Sequence, residues 1–345
     1  MMQKTTALYI WCAAAVLALA ACSKDTPATD IKYDGEIRIS AVSDGVVDIS
    51  STRADNRVEL ARFGIPAEKL TAEWIMANMH TRVQCVEMSG DEEDMNNDVA
   101  YPSANDFNKA NPRLSPVNSI FGISLCTAFG DGSELPDYTT RDGETVENMN
   151  AAEYRHEHPA EKLIPDVPEG EGADFVYFEG HEEVLLEPKS HKDVEVTVRV
   201  ANTVVSVEFT EAFRSYFGNG ATVTLTTKNG FTAEAAAYTA ETADEQTADK
   251  YFWVQPQSFT LSATAARQSP SPGIFDADIR RLDDYTVADP APQTWYRCVY
   301  DVTNVGNTST GTHGGITVTL NGEPVYTEDL GDEEMNPNAP DAPQD

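Results

Sequence analysis

The chain has 345 residues, of which 57 are Asp or Glu and 24 are Lys or Arg, giving a formal net charge of −33 at pH 7. A surface of that sign repels phosphate backbones, which excludes nucleic acid as a partner. The length exceeds the roughly 100–200 residues of an ordinary single domain, so two domains are expected, each able to bury its own core.

At the N-terminus Lys4 supplies a positive start, and "ALYIWCAAAVLALAA" from Ala7 to Ala21 supplies an apolar run of 15 residues. A spanning helix needs about 20, so the run reads as the core of a signal peptide over residues 1–21. Its Leu-Ala-Ala-Cys ending resembles the lipobox of bacterial lipoproteins. That resemblance implies diacylglycerol transfer to the Cys22 thiol, cleavage before Cys22, and acylation (palmitate) of the new amino group. Each buried methylene contributes about 0.8 kcal/mol, so several chains hold a protein on a leaflet. The alternative is an ordinary secreted protein whose cysteine falls at the cleavage site by chance. Removing residues 1–21 takes away only Lys4 among the charged groups, which leaves 23 basic against 57 acidic side chains and a net charge of −34.

Residues 22–32 are short of apolar side chains and read as a lipidated tether. Folding signals begin at "EIRISAV", where Ile37, Ile39 and Ala41 alternate with polar residues as a half-buried strand requires. Further strands are predicted over 119–129, 173–178, 182–188, 221–228, 251–255, 258–265, 294–302 and 314–321, separated by clusters of turn-forming residues. Helical periodicity is confined to "EKLTAEWIMANMH" (68–80) and "TEAFRSYFG" (210–218), the latter with Gly218 as a stop. Two short helices cannot cover a parallel sheet on both faces, so the expected class is all-β, with antiparallel β-sandwiches.

Val194, Val196, Val198 and Val200 occupy even positions, whereas Val205, Val207 and Phe209 occupy odd ones. Side chains alternate faces with period two, so a continuous strand would move its apolar set across the sheet. A bulge or bend at Asn202 to Val204 would let the chain finish one core and begin another; the alternative is one strand buried on both faces. The expected division is therefore an N-terminal β-sandwich with long polar loops over 33–202 and a C-terminal β-sandwich over 203–330. An acidic, Pro-rich tail follows over 331–345. The polar intervals 89–115 and 130–172 are expected to be loops.

Chemical motifs are sparse. The chain contains no nucleophile elbow, P-loop, dinucleotide fingerprint or zincin pair. "RHEHP" puts His156 and His158 two residues apart, a spacing with two imidazoles but no third zinc ligand in view, and it reads as an exposed loop. "DEEDMNNDVAY" offers oxygen ligands but lacks the central glycine and closing glutamate of a calcium loop. Cys85, Cys126 and Cys298 permit at most one bridge, in any of three pairings, and otherwise read as free cysteines on strands. No cofactor, no metal site and no enzymatic activity are expected.

The lipobox Cys22, the opening "GEIRISAVSDGVVDISSTRAD", the "FVYFEG…VTVRVANTVVSVEFTEAF" segment, the "WYRCVYDVTNVG" strand and the "EEMNPNAP" tail resemble an uncharacterised family of fimbrillin-like lipoproteins from anaerobic Gram-negative bacteria. That resemblance implies two tandem transthyretin-like sandwiches. It also implies an outer-membrane lipoprotein exposed at the cell surface, with the periplasmic leaflet as the alternative. Some members of the superfamily polymerise after an arginine-specific cut removes an N-terminal strand, and "SSTRAD" makes Arg53 the candidate cleavage point. The expected function is adhesion or a pilus-associated role, with other fimbrial subunits, host surfaces or glycans as partners. Two other classes stand beside it. One is a carbohydrate-binding lipoprotein of a glycan-uptake system, with Trp74, Tyr101 or Tyr138 stacking on sugars; the other is a secreted hydrolase without a sequence signature.

Overall fold

The computed structural model describes residues 35–49, 57–88, 98–115, 118–128, 135–217, 221–236, 250–268, 275–281, 284–308, 311–320 and 323–331. Among them no helix is long and apolar enough to cross a membrane. The described strands form four sheets. The first has six strands in the order β1 (Glu36–Ser43), β12 (His191–Val200), β11 (Phe178–Leu186), β6 (Ser119–Cys126), β4 (His80–Glu87) and β5 (Asp98–Tyr101). The second runs β10 (Gly170–Glu171), β16 (Lys250–Val254), β13 (Thr203–Phe209), β20 (Thr294–Thr308), β2 (Val46–Ile49) and β3 (Arg57–Glu59), with β21 (Gly311–Leu320) and β22 (Glu323–Gly331) continuing from β20. The third runs β15 (Thr232–Ala236), β14 (Ala221–Thr227), β17 (Phe259–Gln268) and β18 (Phe275–Arg281), with β19 (Tyr285–Val287) also on β17. A small fourth sheet joins β8 (Thr145–Val146), β7 (Tyr138–Thr139) and β9 (Ile164–Pro165). Among the described residues the helices are short: α1 (Ala72–Asn78), α2 (Ala104–Ala110), α3 (Ala151–Glu157) and α4 (Glu211–Phe217). The protein is thus all-β, as its alternating patterns predict. Most strand pairs are antiparallel, and β1–β12, β13–β20 and β2–β20 run parallel.

The chain leaves the first sheet at Val200 and enters the second at Thr203. The intervening Asn202 is buried, and its side-chain oxygen accepts the Tyr177 backbone N–H at 2.6 Å. Val196, Val198 and Val200 close one core, whereas Val205, Val207 and Phe209 face another. β13 itself is buried on both faces. Val204 stands opposite Trp253 and Trp295, and all three join the first core, where Phe63 packs edge-on against both indoles. One residue on, Val205 stands opposite Phe252 and Tyr296, and these join the second core with Val223, Leu225 and Leu261 of the third sheet. The second sheet therefore has a core on each face.

Several stretches differ from their sequence patterns. The strand expected over 173–178 is a 3-10 turn at Ala173–Phe175, and pairing starts only at Phe178. The turn follows Gly172 at φ 96° and lays the Phe175 ring over Gly170, where a Cβ would stand only 2.4 Å from it. The intervals expected to be loops hold α2, α3 and the fourth sheet, with a small core of Tyr138, Val146 and Ala151. Each helix there spans seven residues, too few for a 3.6-residue period to declare itself. The helix expected at 68–80 splits into a 3-10 turn at Ala67–Leu70 and α1, capped by the Thr71 side chain on the Trp74 N–H. The proposed stop at Gly218 lies outside the described residues, as do the signal peptide, the tether and residues 332–345 of the acidic tail, whose first residue, Gly331, ends β22.

Because Trp253 fills one core from a strand whose neighbouring residue fills the other, the two halves should unfold together. Trp253→Ala should cost about 3–5 kcal/mol and lower the denaturation midpoint for both, read as one calorimetric transition in the wild type and in the variant. Two separated transitions in the wild type would contradict this coupling.

Candidate functional site

The outer face of the first sheet carries a connected group of titratable side chains. Along β11 the outward residues are Glu179, His181 and Glu183, and opposite them on β6 lie Cys126, Ser124 and Gly122. Helix α3 lies across this face. It can approach because position 122 has no side chain: a Cβ there would stand 3.0 Å from His181 and 3.1 Å from both Ala152 and Val86. Ala151 and Ala152 are buried at the contact, so the smallest side chains of the helix meet the smallest residue of the strand.

Three polar contacts fasten the helix. Arg155 donates to Glu179 at 2.9 Å and lies over the ring of Tyr138, whose hydroxyl donates to the same carboxylate at 3.1 Å. Burial is the largest single influence on the Arg155 pKa and lowers it, but Glu179, Tyr138 and Tyr177 together hold it above its ordinary value. His156 lies between two glutamates, with Nδ1 3.1 Å from Glu183 and Nε2 3.3 Å from Glu87. The hydrogen bond to Glu183, against some burial, raises its pKa. His181 is pushed down to about 4, first by burial and then by the Arg155 charge, and its Nδ1 is 3.1 Å from the Ser124 hydroxyl.

The insert that carries α3 is tied at its far end to the other half of the molecule. Lys162 donates to the carbonyls of Pro256 at 2.8 Å and Pro290 at 2.5 Å. Glu169 accepts from the Gln255 backbone N–H and the Thr227 hydroxyl, both at 2.8 Å. Gln255 in turn donates its amide to Asp166 at 3.0 Å and to the Val167 carbonyl at 2.9 Å. Burial raises the Glu169 pKa, although the two donors oppose it. Beside α3 an open cleft runs between β11 and β12 toward the 292–293 loop and is lined by Arg155, Glu182, Thr197, Arg199 and Gln293. Gln293 is held at φ 53° with its amide donating to Asp44 and to the Val46 carbonyl.

The positions singled out in the sequence are distributed as follows. Cys22 and Arg53 lie outside the described residues. His156 and His158 belong to the end of α3 and its C-cap and not to an exposed loop, because the helix continues through them to satisfy the Tyr154 carbonyl. Of the acidic calcium-like stretch, residues 91–97 lie outside the described residues, and Asp98 is a β5 residue paired with Arg82. Cys85, Cys126 and Cys298 are free thiols, and burial pushes Cys126 up to about 11 and Cys298 up to about 12. Among the aromatics proposed to stack on sugars, Tyr138 is 3% exposed beneath Arg155, Tyr101 stands edge-on to Phe107, and Trp74 packs against the first core. Arg155, Glu179 and His181 escaped the sequence reading; alternation marks the latter two as outward, but nothing local shows that a helix covers them. Among the described residues no group of three His, Cys, Asp or Glu side chains is arranged to hold a metal ion.

These features define a multi-sheet β-protein with a helix-bearing insert strapped across one outer face. The chain belongs to the family described as a domain of unknown function, DUF4493, whose model matches residues 157–337. No curated protein matches the sequence. Solved structures with a similar outline include the fimbrial anchor protein Mfa2 from Porphyromonas gingivalis, at 10% identity and a TM-score of 0.35, covering 85% of this chain and 100% of that one. A protein described as an adhesin from Bacteroides ovatus is similar at 9% identity and a TM-score of 0.37, covering 90% and 98%. A protein described as polysaccharide-binding from Bacteroides thetaiotaomicron is similar at 9% identity and a TM-score of 0.37, covering 88% and 100%.

Since α3 reaches the sheet through a gap the size of one side chain, Gly122→Val should lift it. The expected outcome is loss of hydrogen-exchange protection at Ala151–Glu157, while the β6 and β11 amides keep theirs. Equal protection of the helix in the variant would mean that the close approach does not hold it down.

Proposed function

We infer that the protein is a lipid-anchored cell-surface protein of the fimbrillin or adhesin type, acting through contacts and not through catalysis. In this reading Cys22 carries the acyl chains, residues 23–32 form the tether, and the two β-rich halves meet near residue 202. The observation that carries the reading is what the polar cluster does with its hydrogen bonds. Glu179 is occupied by Arg155 and Tyr138, and His156 by two glutamates, so these groups fix a helix to a sheet. A general acid or base needs a partner position left for substrate.

A second observation bears on polymerisation. β1 pairs with β12 over eight residues and buries Ile37, Ile39 and Ala41. On its other edge the Asn108 amide takes the place of a strand, accepting from the Ile39 N–H at 2.9 Å and donating to the Ile39 carbonyl at 2.8 Å. At Ile39, and at Gly35 through its bridge to Leu114, this edge is occupied, which disfavours pairing with an incoming strand there. The favoured role is therefore an anchored adhesin or terminal component that keeps its first strand, in place of a subunit that sheds it after Arg53. The buried or half-buried positions of Trp74, Tyr101 and Tyr138 weigh against the carbohydrate-stacking alternative.

The test is acylation and display in cells. Wild-type protein should incorporate labelled palmitate, partition into the detergent phase and be digested by protease added to intact cells, and Cys22→Ser should lose the first two properties. Mature protein should begin at the acylated Cys22. A wild-type protein that takes up no label, or is protected on intact cells, would overturn the surface-lipoprotein reading, and an N-terminus just after Arg53 would overturn the retained strand.

A further inference from the structure

We propose that His156 is a proton-operated latch: its imidazolium bridges Glu87 and Glu183, clamping α3 and its insert onto the outer face of the first sheet, and loss of that proton releases the helix. The geometry requires the charged form. Both ring nitrogens lie within 3.3 Å of carboxylate oxygens, which accept and cannot donate. A neutral imidazole has one N–H, so it would turn a lone pair toward one of the two glutamates. Those glutamates stand on β4 and β11, either side of β6, and the cation between them offsets their repulsion.

The surrounding groups favour the charged state. Glu87 faces His156 from β4, and Glu183 and His181 face it from β11. β6 presents Ile120, Gly122, Ser124 and Cys126 on this face, and the Cys126 thiol, pushed up to about 11 by burial, stays neutral. On its own helix the neighbours are Arg155, committed to Glu179, and Glu157. His181 remains neutral near neutrality because it is buried beside Arg155, so it adds no competing cation.

The sign follows from linkage. The docked helix binds the His156 proton more tightly than an undocked one, whose pKa is near the ordinary value of about 6.5. The latch therefore contributes in full below that value and is lost as pH rises through the raised value of the docked state. Between the two values docking weakens by up to about tenfold per pH unit.

The experiment uses the soluble mature chain with Cys22 replaced. Imidazole Cε1 resonances followed by NMR should give His156 a midpoint above the ordinary range, lowered in both Glu87→Gln and Glu183→Gln. Hydrogen exchange at Ala151–Glu157, corrected for intrinsic rates, should lose protection across the same midpoint, and that dependence should vanish in His156→Gln. A His156 midpoint at or below about 6.5, or an unchanged pH dependence in His156→Gln, would overturn the proposal. If His156→Gln fails to fold, the two glutamine variants decide it, since a latch requires both to shift the midpoint downward.

Discussion

The fold depends on one strand being apolar on both sides. Thr203–Phe209 lies between β16 and β20 in the second sheet, and a core rests on each of its faces. The run "TVVSVEF" has no solvent side until Glu208, which pairs with Arg297 across the parallel ladder. The polar Ser206 is tolerated because it accepts the Trp295 indole N–H at 2.9 Å, so one bond satisfies two otherwise buried groups. A parallel pair is reached only by a long connection, and here everything from Thr210 to Gln293 is spent between β13 and β20. That excursion builds the third sheet and returns to close the second core over the same strand.

The insert between β6 and β11 performs a similar joining role on the outside. One end sits on the first sheet through Gly122 and the Arg155–Glu179 pair, and the other reaches Pro256 and Pro290 through Lys162 and Gln255 through Glu169. The contacts at the two ends differ in kind. At the first, charged groups meet on a partly exposed sheet face; at the second, a buried glutamine uses its amide and its backbone to gather Asp166, Val167 and Glu169. Ionisable groups serve both ends: at the far one Glu169 and Asp166 accept from neutral donors, and Lys162 pairs with Asp289 at 3.5 Å beside its two carbonyls, whereas at the near one carboxylates meet Arg155 and His156.

What the sequence makes legible follows from period and composition. Alternation locates β1, β6, β12, β14, β17, β20 and β21, because a half-buried strand needs only local information. The change of phase near Asn202 is legible for the same reason, since no single half-buried strand can carry its apolar residues on both parities. The 3-10 turn at Ala173–Phe175 is not legible, because "ADFVYF" has a strand's composition and only the fit of Phe175 over Gly170 decides otherwise. The cap of α2 was present as a signal: Ser103 accepts the Asp106 N–H and donates to its carboxylate, an S-x-x-D pattern inside a stretch polar enough to pass for a loop. The cluster around α3 was hidden for a different reason. Residues 155 and 179 meet only after the insert has folded back across β6 and β11, and neither residue's neighbours in sequence record it.

The two histidines of that cluster show how position outweighs residue type. His156 and His181 lie beside the same Glu183 carboxylate, at 3.1 and 3.8 Å, yet their proton affinities move in opposite directions. His156 comes from a helix end, where its hydrogen bond to Glu183 exceeds the effect of burial and the two carboxylates prevail. His181 points outward from the strand beneath that helix, where the same docking that brings His156 to the glutamates removes water from His181 and sets Arg155 beside it. Burial and a neighbouring cation both disfavour the imidazolium, and a single carboxylate at 3.8 Å does not compensate. One packing event thus raises the proton affinity of one histidine and lowers that of another within a few ångströms. Moving α3 away would return both toward ordinary behaviour at once, with His156 losing affinity for its proton and His181 gaining it.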